Sequence, residues 1–418
     1  MLLRSVTITD PASAHHGQTV DVRITDGRIV AIEVALDVWE GEEVFSEAEA
    51  RLSPGFVDIG AYLGDPGHEE REDIESLIAA ARAGGHTTVA VLPNTDPVRQ
   101  SAADMRYLEG YRDRGPVSLL PLAALSRDTA GRDLTEMMEL AAAGAVGFTD
   151  GPGRPASGGL LKRGLEYAKA FNGTIIDSPY DVALAPEGQI HEGAVSVQLG
   201  LPGIPALCET IPLTQALTLL DYTDSRLVLH LLSTAEGTEL LRRHPSRPGC
   251  TVSAHHLTFT DEELTGFDPN YKVMPPLRGR ADREALRRGI IDGTITAIAS
   301  HHRARHREEK ELEFSYSAFG ALGLQTSLRQ LLPWAREAGA LDAIISALTA
   351  GPRHLLDREP VSIAVGQRAE CTLFTTKGES TFTAAELKGK TRNSPLLDRV
   401  LPGKILATIN HDRLWTSA

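Results

Sequence analysis

The sequence predicts an α/β protein, a (β/α)8 TIM barrel carrying a small β-sandwich assembled from both termini. Three observations predict it. Eight short runs rich in Val, Ile and Leu recur through the middle of the 418-residue chain. Amphipathic segments separate them, several closing on a Gly as helix C-termini do. At either end this pattern gives way to alternating apolar and polar residues. Apolar strands each followed by a helix mean a parallel sheet covered on both faces, and eight such units over about 300 residues suit a closed barrel.

Taken in order, "LLRSVTIT", "TVDVRITDGRIVAIE" and "EEVFSEAEARLS" read as strands, with "TDGRI" as a hairpin turn. The barrel strands are expected at Gly55–Ile59, Thr87–Leu92, Val117–Ala124, Ala145–Thr149, Thr174–Asp177, Leu227–Leu232, Thr251–His255 and Thr296–Ser300. Segments such as "DIESLIAAARAGG" and "DREALRRGIIDG" supply helices between them. The tail, with "SIAVGQRAECTLFTT" and "PGKILATIN", returns to the β pattern. The expected division is residues 1–53 for the first part of the sandwich, 54–355 for the barrel and 356–418 for the second part.

A net charge of −14 and a pI near 5.5 argue against a nucleic-acid partner. No apolar run approaches the ~20 residues of a membrane helix, and "MLLRSVTITD" lacks the apolar core of a signal peptide, so a cytoplasmic protein is expected. Cys208, Cys250 and Cys371 lie far apart and read as buried free thiols.

Function in such a barrel sits at the C-terminal strand ends. There the sequence places Gly60, Ala61 and Tyr62 after strand one, Asn94 after strand two and Asp150 after strand four. Asp177 follows strand five, His230 and Leu231 lie in strand six, His255-His256 follow strand seven and His301-His302 strand eight. A metal hydrolase needs clustered neutral imidazoles and carboxylates with one open position for water. Gly60 offers no ligand, and the phenol of Tyr62 holds its proton to about pH 10. The histidine doublets read as hydrogen-bonded structural imidazoles, with a relocated metal site as the competing reading. Asp150 and Asp177 read as helix caps or loop anchors, with metal ligation as the alternative. The runs His68–Glu75 and Arg305–Lys310 read as a solvated helix start and a charged loop.

Together these blocks resemble the dihydroorotase branch of the amidohydrolase superfamily, a metallo-dependent hydrolase fold. "PGFVDIGAYLGDPG", "REDIESLIAAARAGGHTTVAVLPNTDPV", "GAVGFTDG", "LHLLSTAEGTELLR", "VSAHHLTFTDEEL", "YKVMPPLRGRADREALRRGIIDGTITAIASHH" and "KGKTRNSPL" follow the family's order and spacing. Carried over one at a time, the family's two strand-one histidines fall at Gly60 and Tyr62, and its carboxylate-binding arginine at Gly64. The strand-five and strand-six histidines fall at Asp177 and Leu231, with His230 one register away. The acid/base aspartate falls at His301 and a substrate-binding asparagine at Met274. The metal-ligating Asp150 and the substrate-binding Asn94 are kept.

The resemblance therefore implies a catalytically inactive dihydroorotase homologue. It would bind no zinc, have no catalytic residue at His301, and form an oligomer as a structural subunit of aspartate carbamoyltransferase in pyrimidine biosynthesis. The alternative is an active dihydroorotase or related cyclic-amide hydrolase with a rearranged site of Asp150, Asp177, His255 and His301. A third reading is a binding module for a small acid, with Arg303 or Arg305 rebuilding an anion site.

Overall fold

The apolar runs of the middle region form one parallel sheet in a computed structural model that describes residues 1–112, 115–152, 157–410 and 413–416. Its strands are β1 (Phe56–Ala61), β2 (His86–Val91), β3 (Ser118–Ala123), β4 (Gly147–Phe148), β5 (Thr174–Asp177), β6 (Arg226–Leu232), β7 (Gly249–Ser253) and β8 (Ala297–Ala299). They neighbour one another in chain order, as successive βα units require. Each overlaps its predicted run, and β1 and β3 are buried at every position because helices cover one face and the barrel interior the other.

No ladder joins β8 back to β1 among the described residues. Side chains and one peptide close the ring instead. Asp58, fully buried on β1, accepts from Ser300 N at 2.5 Å and Ser300 Oγ at 2.8 Å. Just beyond, Tyr62 N donates to His302 O at 3.0 Å.

The outer helices follow their sequence signals. Helix α1 (Ile74–Ala83) starts at Asp73, whose carboxylate accepts from Ser76 N while Ser76 Oγ accepts from Asp73 N, and buries Ile74, Leu77, Ala80 and Ala81. One strand departs from expectation. The run Thr251–His255 stops at Ser253, because Ser253 Oγ caps a one-turn helix, α2 (Ala254–Thr258), by accepting from His255 N at 3.0 Å. His255 and His256 therefore sit on a helical turn, and the alternation expected of a strand does not apply to them.

Both ends of the chain build the small sheet domain. Cys371–Thr381 pairs antiparallel with Arg51–Pro54, which joins the N-terminal strands Leu2–Ile8, Thr19–Thr25 and Arg28–Glu33 to Val400–Asn410 and Arg413–Thr416 in one continuous ladder. The predicted hairpin turns at Asp26 and Gly27, with φ of 51° and 69°, values matching a two-residue turn that follows strand twist. Leu3, Val6, Ile24, Leu52, Leu373 and Ile409 form a core separate from the barrel's. Arg353 fastens the two parts, donating to Gly55 O at 2.8 Å and pairing with Glu370. The three cysteines are buried and free. Among the described residues no helix is long and apolar enough to cross a membrane.

Candidate active site at the barrel mouth

A cavity of about 650 Å3 opens over the C-terminal ends of the strands. Tyr62, Asn94, Tyr180, Met274, Arg303 and Arg305 are among its lining residues. Its position is the one a (β/α)8 barrel reserves for chemistry.

Beneath it lies a group of buried imidazoles. His301 has His255 and His256 as ring neighbours, with centroids 6.5 Å and 6.0 Å away. Each of four histidines has one nitrogen engaged. His230 Nδ1 meets Thr251 Oγ1 at 2.9 Å and His255 Nδ1 meets Gln330 Oε1 at 3.2 Å. His256 Nε2 meets Pro276 O at 3.1 Å and His301 Nε2 meets Met274 O at 2.9 Å. The other nitrogen of each, His230 Nε2, His255 Nε2, His256 Nδ1 and His301 Nδ1, is buried without a partner. Burial pushes His230 and His256 down to about 3 and His255 to about 4, and with the neighbouring histidines it drives His301 well below its ordinary value. All four are neutral at pH 7.

The family positions that lost their side chains are filled by other groups. Gly60 has a φ of 88°, and a Cβ built there would stand 2.4 Å from His230 Nε2. His230 thus crosses the barrel and occupies the space a strand-one ligand needs. It can do so because β6 is irregular. The β6–β7 register shifts between Leu229 and Leu232, and Leu231 adopts a φ of 62°. Leu231 itself is buried and donates its N–H to Thr251 Oγ1 at 2.9 Å. At Gly64 a Cβ would meet His68 O at 2.2 Å and Glu72 O at 2.5 Å, so the tight turn there excludes an arginine.

Asp150 is a loop anchor, accepting from Ser126 N at 2.8 Å and from Ser126 Oγ. Asp177 lines a small crevice with it, and burial reinforced by Asp150 pushes its carboxyl up to about 6. Neither shares that crevice with His255 or His301, so the structure does not bring together the four residues of the rearranged site expected above. Asn94 lines the main cavity; its Nδ2 donates to Asp150 O at 2.9 Å and its Oδ1 is buried without a partner.

Two runs read as solvated turn out to be built into the site. Glu72 is 1% exposed and meets His302 Nε2 at 2.6 Å, while His302 Nδ1 accepts from Gly323 N at 3.2 Å. Arg71 pairs with Glu309 at 3.0 Å, and Arg305 pairs with the same carboxylate at 2.9 Å. Lys310 is buried against the carbonyls of Pro269, Ala318 and Gly320. Glu72 and His302, and Arg71 and Glu309, lie far apart in the chain, so charge density alone disguised these runs as surface.

The unpartnered nitrogens are the donors a divalent ion would use. They do not converge: among the described residues no three His, Cys, Asp or Glu side chains are placed to hold a metal ion. As arranged, the residues do not fit the metal of the family, and no chemical step is drawn through one.

The Dihydro-orotase-like family matches residues 50–237. The dihydroorotase of Geobacter sp. (strain M21) is 34% identical over 416 residues, spanning 98% of this chain and 97% of that protein. The dihydroorotase of Syntrophobacter fumaroxidans is 36% identical over 418 residues, covering 97% and 94% respectively. A "Dihydroorotase-like protein" of Pseudomonas aeruginosa is 36% identical over 413 residues, covering 97% of each chain. The L-hydantoinase (dihydropyrimidinase) of Arthrobacter aurescens shares the fold with a TM-score of 0.83 at 20% identity, over 99% of this chain and 95% of that one.

These relatives correct three expectations. The inactive assembly subunit, and with it the reading that this is not an enzyme, gives way because full-length relatives at 34–36% identity carry the name of the enzyme. The expected absence of a cofactor gives way too, since dihydroorotases and hydantoinases are metal-dependent. The expectation rested on single positions. Losing one set of ligands removes one arrangement of a site, and this mouth carries a different set of imidazoles.

Proposed function

This chain belongs to the dihydroorotase-like family, and from that premise we propose that it hydrolyses a cyclic amide of the dihydroorotate class in its barrel mouth. The observation that carries the reading is similarity to dihydroorotases from end to end of the chain. In the reaction water adds to the ring carbonyl, the ring C–N bond breaks, and the departing nitrogen takes a proton. The cavity supports the reading with a place for the ring. Asn94 stands in its wall, with Nδ2 tied to Asp150 O at 2.9 Å and Oδ1 packed beside Gly151. His230 lies one layer down, in a crevice that Pro152, Tyr180 and Met274 share with the main cavity. Its Nε2 has no partner, the ring is neutral at pH 7, and in the tautomer that keeps the proton on Nδ1 that nitrogen is an acceptor.

The test is ring opening of dihydroorotate to N-carbamoyl-aspartate, followed by chromatography. The protein is assayed as purified, after chelation, and after zinc is restored. Turnover proportional to protein is expected from the protein as purified, and the chelated and zinc-restored samples report whether the working site takes up a metal that the present arrangement does not. No turnover in any preparation ends the reading.

We further propose aspartate carbamoyltransferase as a partner and the cytoplasm as the location, on the strength of the resemblance. Mixed at micromolar concentration, the two proteins are expected to share one size-exclusion peak; two separate peaks would dispose of the partnership.

A further inference from the structure

We propose that Arg303 forms a carboxylate-binding site in the cavity, held on a shelf made by Tyr62, and that it selects substrates bearing a ring carboxylate.

Three arginines face this cavity, Arg71, Arg303 and Arg305. Two share one acid, since Glu309 lies 3.0 Å from Arg71 and 2.9 Å from Arg305. The acid among the lining residues, Glu72, is engaged with His302 at 2.6 Å. Arg303 has no carboxylate partner among the described residues. Its guanidinium lies over the Tyr62 ring, 4.1 Å from the centroid. Stacking leaves the edge of the guanidinium, with its fork of N–H donors, free for a planar anion. The three cations are close enough to act on one another: burial and the charges of Arg303 and Arg71 bring Arg305 down to about 10. A monoanion arriving at Arg303 relieves that repulsion.

The surroundings are shaped to this side chain. Gly320 adopts a φ of 134°, and a Cβ there would stand 2.9 Å from Arg303 Cδ and 3.1 Å from its Cβ and Cγ. Only a glycine leaves room for the stem. The backbone is pinned as well. Arg303 N donates to Ala321 O at 2.8 Å, and Arg303 O accepts from Asn393 Nδ2 at 2.9 Å. Tyr62, Gly64 and Gly320 thus act together: a ring for the guanidinium to stack on, a tight turn that admits no side chain, and a channel for an arginine from the adjoining lip of the barrel.

The inference rests on the proposed function for its ligand, a pyrimidine ring with a carboxylate, and its test does not depend on turnover. Orotate and uracil share a ring and differ by the carboxylate. Isothermal titration of the intact chain is expected to show orotate binding more tightly than uracil. Arg303→Met should weaken orotate about ten- to a hundredfold, as the loss of a charge-assisted hydrogen bond does, and leave uracil unchanged. Arg303→Lys should recover part of the difference. Gly320→Ala, which crowds the stem and strains the backbone at a φ of 134°, should weaken orotate in the same direction. The site is refuted if the wild-type chain does not distinguish the two ligands, or if folded Arg303→Met binds orotate as the wild type does. A chain that fails to open dihydroorotate yet shows the Arg303-dependent preference overturns the proposed reaction and keeps this site; the converse keeps the reaction and removes the site.

Discussion

Lowering the pH from 7 to 5 is expected to strip the protein of at least about 5 kcal/mol of stability, with the melting temperature falling by at least about 5 °C. The cause is the buried imidazole group. His230, His255 and His256 have folded pKa values pushed to about 3, 4 and 3 by burial. Their unfolded values are near 6.5. A histidine depressed in this way supports the fold above the unfolded value. That support is lost as the pH falls from about 6.5 toward the folded value, because the unfolded chain takes up the proton first. At pH 5 each of the three gives up about 2 kcal/mol, and His301 acts in the same direction. Asp177 works against them. Its carboxyl, raised to about 6, favours the neutral form, and returns about 1 kcal/mol over the same interval. Thermal melts across this range check the result. A flat profile from pH 7 to 5 would mean that the imidazoles are not held neutral in the interior.

Gly60→Ala is expected to destabilise the protein by about 2–4 kcal/mol, far more than a glycine-to-alanine change on a surface. Two effects add. The φ of 88° disfavours any side chain, and the new methyl would stand 2.4 Å from His230 Nε2. The clash makes a stricter prediction. With His230→Ala already in place, the added methyl meets open space, and only the backbone strain remains. The double variant should therefore be at least about 1 kcal/mol more stable than the sum of the single losses predicts. Denaturant unfolding of the four proteins closes the cycle. Strict additivity would show that His230 does not stand over Gly60.

The barrel strands could be read in advance because burial on both faces imposes runs of branched apolar residues, as at Phe56–Ala61 and Thr174–Asp177. The hairpin at Asp26–Gly27 was equally plain, since its turn demands residues that tolerate positive φ. The site was only half visible. Its location followed from the fold, and Asn94 and Asp150 from their places at strand ends. The placement of His255 and His256 depended on whether Ser253 would cap a helix or extend a strand, a choice that one hydroxyl decides. The exchange between Gly60 and His230 depends on a one-residue irregularity in β6, for which the local sequence "LVLHLLST" carries no marker. Glu72 and His302 lie 230 positions apart, so nothing along the chain announces that either is buried. The functional expectation failed for a related reason: position-by-position comparison records what is missing from one constellation, and says nothing of side chains arriving from another direction.

The way the ring is completed has a consequence of its own. Between the first and last staves there is a seam, stitched by Asp58, Ser300 and the peptide link from Tyr62 to His302. The lips of that seam continue directly into Tyr62 on one side and Arg303 on the other, both in the wall of the cavity. A guest resting there touches both lips at once. Filling the pocket and keeping the cylinder shut are then a single equilibrium, and the tightness of one is a measure of the other.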